Sequence, residues 1–363
     1  MKRSLVFLAI VFFLVGSVAF GERGTIIDFS SLEPDIVADE NGNPTVHSRT
    51  VMDFSNATSV NIDDEQKALM RTSLALTDWE VHLNDSAQNP VSMRNSMVKS
   101  APVVSGPYAG MNVMGVRVVF PTIAAHANAR IEPAFDIPAF DPMVEIDENG
   151  QVVAGSQQSG VYRFRKQSDD AVGYGVLDNV GTIQSISLTT MGNNYPHAVY
   201  VLLSDNDGVE RRYYMGTLNF DGWKNLIWNN PDYVTDVRNR EIRVYPVYPR
   251  GLPFAKFNGL LVTRDASHDG GDFIGYFKQV DIIYDRAVAQ TERDIMDEDL
   301  WGIITTQEND RQAIEVSRFG SVQVDRFIEQ QNQAREEAFS SVVTTGEGGN
   351  NGGVTTEAEP TVN

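Results

Sequence analysis

The stretch AVYVLLSDNDGVERRYYMGTL, residues 198–218, reads as a β-hairpin and sets the fold class. Residues 198–203 are apolar on both sides, as expected of a strand in the middle of a sheet. Ser204, Asp205, Asn206, Asp207 and Gly208 then concentrate turn-forming chemistry, and residues 209–218 supply the returning strand. Outward from this hairpin the same pattern repeats. Residues 183–189 set Ile186 and Leu188 against Ser185, Ser187 and Thr189, one dry face and one wet. Residues 111–120 place Met114, Val116, Val118 and Phe120 on one side at period two. Further strands are expected over 223–228, 242–247, 258–264 and 275–285, the last with Tyr276, Val280, Ile282 and Tyr284 sharing a face.

Short strands between turns, with almost no long helical pattern from Thr25 to Arg286, specify a mainly β chain. The expected architecture is an antiparallel β-sandwich or jelly roll. Residues 121–142, with Pro121, Pro133, Pro138 and Pro142, and residues 229–240 read as surface connections, because proline cannot donate to a central ladder.

The ends differ from the middle. Lys2 and Arg3 precede an apolar run over residues 5–15 and small residues around Ala19, the order of a secretory signal. Eleven apolar residues are too few to cross a hydrocarbon core about 30 Å thick. Small residues stand at Ser17, Ala19 and Gly21, so cleavage is expected before Phe20 or Glu22. After Arg286 the period changes to helical, with Val324, Phe327, Ile328 and Gln331 on one thin stripe. The expected organisation is a signal peptide over 1–21, the sandwich over 22–288, an acidic segment with short C-terminal helices over 289–339, and a disordered tail over 340–363.

The chain has no cysteine, so an exported form lacks disulfide staples and must rest on a sizeable core. Its formal charge is −20, and removal of Lys2 and Arg3 with the signal leaves −22. That balance argues against nucleic acid, whose phosphates demand clustered lysine and arginine. It equally disfavours an anionic lipid surface and suits partners with complementary basic patches. No membrane insertion is expected, because no segment after the first apolar run approaches membrane-spanning length.

Enzymatic signatures are not found. His47, His82, His126, His197 and His268 lack the spacing of a zinc site, and neither a nucleophile elbow nor a phosphate-binding glycine loop is present. No cofactor is expected. Asp205, Asn206, Asp207 and Gly208 begin like a calcium loop but reach Gly216 where a glutamate belongs, while Asp269 and Asp272 offer further carboxylates. Structural calcium and plain turn chemistry both account for these loops, and the missing glutamate favours the turn. A glycan-active enzyme needs two carboxylates across a cleft, which 49 acidic residues cannot discriminate.

Aromatics and basic residues are the better lead. Trp79, Trp223, Trp228, Trp301, Tyr213, Tyr214 and Tyr233 form either a sugar-stacking platform or core and rim packing. Arg211 and Arg212 directly precede Tyr213 and Tyr214, so strand alternation should turn one cation–aromatic pair outward. With Arg163, Arg165 and Lys166 they stand out in an acidic chain as candidate interaction residues.

Residues 174–181 (YGVLDNVG), 215–226 (MGTLNFDGWKNL), 115–121 (GVRVVFP) and 277–281 (FKQVD) resemble the outer-layer (sheath) protein family of spirochaete periplasmic flagella. The resemblance runs from about Thr25 to Arg286. Asp221, Gly222 and Trp223 are similar to galactose-binding-like jelly rolls. The resemblance implies a periplasmic protein that coats a flagellin core beside other sheath subunits, with no catalytic residues. The alternative is a periplasmic or secreted carbohydrate-binding protein that uses exposed aromatics.

Overall fold

The computed structural model describes residues 21–32, 36–38, 44–46, 74–142 apart from 124 and 138, 162–164, 173–242 apart from 206, 253–268 and 271–287, with isolated positions at 63, 301, 302, 306, 310, 328 and 332. The first strands are β1 (Glu22–Asp28), β2 (Ile36–Ala38), β3 (Pro44–Val46), β4 (Glu80–Leu83), β5 (Met97–Pro102) and β6 (Asn112–Phe120). They are followed by β7 (Ala127–Glu132), β8 (Phe140–Pro142), β9 (Tyr162–Phe164), β10 (Val176–Asp178) and β11 (Val180–Asn193). The last are β12 (Ala198–Ser204), β13 (Glu210–Thr217), β14 (Asp221–Asn229), β15 (Phe254–Arg264) and β16 (Gly271–Arg286). Among the described residues two α-helices interrupt them, α1 (Pro90–Asn95) and α2 (Tyr233–Ile242).

The strands form two six-stranded sheets and two small ribbons, β2–β3 and β8–β9. The first sheet runs β14-β11-β16-β6-β5, with β1 also on β16; the second runs β13-β12-β15-β7-β4, with β10 also on β15. The two orders are in step, so each strand of one path is matched by its chain neighbour in the other. A chain that crosses repeatedly between two antiparallel sheets in this way is a jelly-roll sandwich. The hairpin that opened the sequence reading is β12–β13, with Ala198 opposite Thr217 and Ser204 opposite Glu210.

Period two explains the core. Val199, Val201 and Leu203 of β12, Met114, Val116, Val118 and Phe120 of β6, and Ile186 and Leu188 of β11 all belong to one buried cluster. Phe29 packs edge-on against Trp79 at 5.4 Å and against Phe257 at 6.0 Å, so Trp79 is core rather than a sugar platform. Its indole nitrogen donates to the Leu74 carbonyl at 3.0 Å, which satisfies the polar edge of a buried ring.

Three expectations are corrected. Residues 121–142 are not all surface connection: residues 127–132 (ANARIE) form β7, between β15 and β4. The prolines lie outside that strand, and Ala127, Ala129 and Ile131 alternate into the core. Residues 229–240 are not irregular but carry α2 through Ile242, where a strand was expected to start; residues 243–247 lie outside the described residues. Finally, Tyr276 does not share a face with Val280. The register against β11 shifts between Gln279 and Phe277, leaving Lys278 as an extra residue. Phe273 and Phe277 therefore point into the core before this bulge, and Val280, Ile282 and Tyr284 after it. The expected signal peptide, apart from Gly21, the continuous C-terminal helices and the tail lie outside the described residues.

Candidate interaction surface

The basic hairpin strand β13 is an edge of the second sheet. Arg211 and Arg212 are both exposed, but they have different fates. Arg211 pairs with Asp205 across the β12–β13 turn. Asp205 also accepts from the Asp207 amide at 3.0 Å, and the Gly208 amide donates to the Asp205 carbonyl at 2.9 Å. The carboxylate of this loop thus holds the turn and neutralises an arginine. Arg212 has no carboxylate partner among the described residues.

The two tyrosines also separate. Tyr213 turns inward and packs on Trp228 at 4.8 Å, closing the sandwich at the edge shared by β13 and β14. Burial raises its hydroxyl pKa above the ordinary tyrosine value. Tyr214 turns outward, 48% exposed, and rests against Tyr200 at 5.3 Å. Alternation along β13 therefore leaves Arg212 and Tyr214 together on the outer face, the outward pair expected from the sequence. Their rings and guanidinium make no cation–π contact with each other among the described residues.

Trp223 lies on β14, the corresponding edge of the first sheet. Its ring meets Tyr108 edge-on at 4.7 Å, although Tyr108 belongs to the connection between β5 and β6 at the opposite side of the sheet. That connection therefore reaches over the outer face. Lys278, extruded by the β16 bulge, sits under it with Nζ 5.5 Å from the Tyr108 ring and 3.5 Å from the Asp28 carboxylate. The sequence reading missed the bulge by carrying the even frame of Val280, Ile282 and Tyr284 back through Lys278 to Tyr276, past the odd-frame Phe273 and Phe277.

Arg163 sits on β9 opposite Asp141 of β8, while Arg165 and Lys166 lie outside the described residues. Of the remaining aromatics, Tyr233 donates its hydroxyl to Asp285 at 2.8 Å and Trp301 is exposed. Asp272 of the second acidic loop forms an ion pair with Arg117 at 2.5 Å. Asp269 lies outside the described residues.

His197, Arg264, Lys278 and Asp281 are buried ionisable groups that the sequence reading did not single out. His197 is 7% exposed and stacked on Phe120 at 5.3 Å. Burial, reinforced by the charges of Arg264 and His268, pushes its pKa down to about 4. Arg264 in turn donates to the carbonyls of Pro121, Ile123 and Ala125, fastening the crossover between β6 and β7.

These features define a β-sandwich whose distinctive side chains lie on outer faces and sheet edges, the equipment of a binding or assembly protein. The family described as flagellar filament outer layer protein Flaa matches residues 43–293. The chain is 50% identical over 345 residues to the flagellar filament outer layer protein of Treponema pallidum (strain Nichols), a match that covers 94% of this chain and 97% of that one. It is 39% identical over 341 residues to the protein of the same description from Spirochaeta aurantia, with 93% and 95% covered. A solved carbohydrate-binding module in complex with β-1,4-galactotriose is 11% identical and covers 58% of this chain and 90% of that one; its TM-score of 0.26 carries no argument. The chain belongs to the flagellar filament outer layer protein family.

Proposed function

We propose that this chain is an exported, non-catalytic subunit of the outer layer of a spirochaete periplasmic flagellum. There it coats a flagellin core and contacts neighbouring sheath subunits. The observation that carries this reading is the 50% identity to the Treponema pallidum outer layer protein, spread over 345 residues that include both sheets. The exposed Arg212 supports a subunit that meets acidic neighbours despite its own net negative charge. Immunogold labelling of intact filaments, paired with co-sedimentation, tests the reading. Gold along the filament and protein in the pellet are expected; protein confined to the supernatant would overturn it.

Export rests on the order of Lys2, Arg3, the apolar run and the small residues near Ala19. β1 opens at Glu22, directly after the second of the two expected cleavage bonds. Sequencing of native protein should return Phe20 or Glu22 as the first residue, and recovery of Met1 would exclude processing.

A carbohydrate-binding reading keeps one observation in its favour, the half-buried Trp223 beside Tyr108 on the outer face. Binding on a glycan array, abolished by Trp223→Ala, would favour it over the sheath reading.

A further inference from the structure

An antiparallel sheet that is not closed into a barrel exposes unpaired backbone groups at its edges, and proteins usually blunt those edges. Three of the four path ends here are blunted. β4 has only four residues. β5 has six, with exposed Lys99 and a closing Pro102. β13 carries Glu210, Arg211 and Arg212, and its register against β12 is broken at Tyr200. β14 is different. It runs nine residues, contains no proline, and pairs with β11 without a register shift from Asn229 to Asp221.

Among the described residues nothing pairs with the free side of β14. The helix that follows it, α2, leads back towards the sheet interior, where the Tyr233 hydroxyl donates to Asp285 of β16. Ile227 is 55% exposed on this strand, beside exposed Asp221, Lys224, Asn225 and Asn229. In a chain of formal charge −20, this strand carries one acid, Asp221, and one base, Lys224. Lys224 is exposed, with Nζ over the Phe220 ring at 5.1 Å.

The geometry points to β14 as a self-pairing edge, with a second copy of this chain as its occupant. Antiparallel pairing about a two-fold axis at Asn225 sets Trp223 opposite Ile227 of the other copy, and Asp221 opposite Asn229. Lys224 then stands opposite Leu226, so no like charges are directly opposed. Side chains alternate faces, so both Trp223–Ile227 pairs lie on the outer face, and the first sheet continues from one copy into the next. Such a contact is isologous: one strand serves both partners. The inference rests on the strand alone and holds whether or not the protein coats a filament.

The chain has no cysteine, so a single one placed on the axis reports the contact. Residues directly opposite in an antiparallel pair have Cα atoms about 4.5–5.5 Å apart, within the range a disulfide spans. Exported full-length Asn225→Cys should form a reducible dimer under mild oxidation, at least tenfold faster than Arg212→Cys on the β13 edge. Wild-type protein should sediment as a dimer, and Asn225→Lys and Asn225→Glu should each sediment as folded monomers. An equimolar mixture of these two variants should recover the dimer, because lysine then faces glutamate. Cross-linking of Asn225→Cys no faster than of Arg212→Cys, or a mixture that stays monomeric, would overturn the assignment.

Discussion

The Thr25 hydroxyl donates to the Asp281 carboxylate at 2.7 Å, joining the first strand of the sandwich to the last across 256 positions of sequence. The same carboxylate accepts from Arg23 at 2.8 Å and Gln279 at 2.8 Å, and its side chain is only 3% exposed. A buried acceptor with three donors is a tether for β1. Asp281→Ala strands those donors and should cost about 2 kcal/mol, whereas Thr25→Val, which removes one bond, should cost about 1 kcal/mol. Urea denaturation should show both as shifts in midpoint without a change in slope. An unchanged midpoint for Asp281→Ala would mean that the backbone ladder alone holds β1.

His197 makes stability depend on pH. Its folded pKa of about 4 lies below the ordinary 6.5, so the folded state resists the proton that the unfolded chain accepts. Its contribution is intact above about pH 6.5 and is lost as pH falls towards 4, where the unfolded chain binds the extra proton. The loss is on the order of 3 kcal/mol. His197→Phe keeps the stack on Phe120 and should flatten this part of the urea midpoint against pH. A wild-type slope in that variant would assign the dependence to other groups.

Gly259 lies on β15 with φ at +153°, and a Cβ there would stand 2.5 Å from the Ile131 carbonyl oxygen of β7. Backbone cannot retreat as a flexible side chain does. Gly259→Ala should therefore lose more than about 2 kcal/mol, combining conformational strain with the clash. A thermal melt within a degree of wild type would show that β7 can shift to make room.

If the proposed filament attachment runs through β13, its two arginines should contribute unequally. Arg211 is committed to Asp205, so Arg212→Glu alone should reproduce most of the release from filaments caused by reversing both charges. Release should increase with salt, since exposed pairs are screened over about 8 Å at physiological ionic strength. Pelleting of variant-coated filaments across low and high salt measures this. Full retention of Arg212→Glu would remove the β13 patch from the attachment surface.

By itself the sequence determined the class of architecture and the β12–β13 hairpin. Period-two alternation in β6 and β11 and the turn chemistry of residues 204–208 are local signals, each readable within a few residues. The resemblance carried by residues 215–226 was likewise local, and it led to the right family. β7 was hidden because Ala127 and Ala129 are weak markers of a core face and prolines lie nearby. α2 was hidden because its ten residues show little apolar periodicity. Which of Arg211 and Arg212 is spent on a carboxylate, the bulge at Lys278, and the burial of Trp79 and His197 were decided only by tertiary structure. Each depends on a group brought close by folding: Asp205 across a turn, β1 and the Tyr108 connection beside β16, Phe29 against Trp79, and Phe120 against His197. Alternation tells a side chain which face it occupies, but only the packed sheets set what waits there.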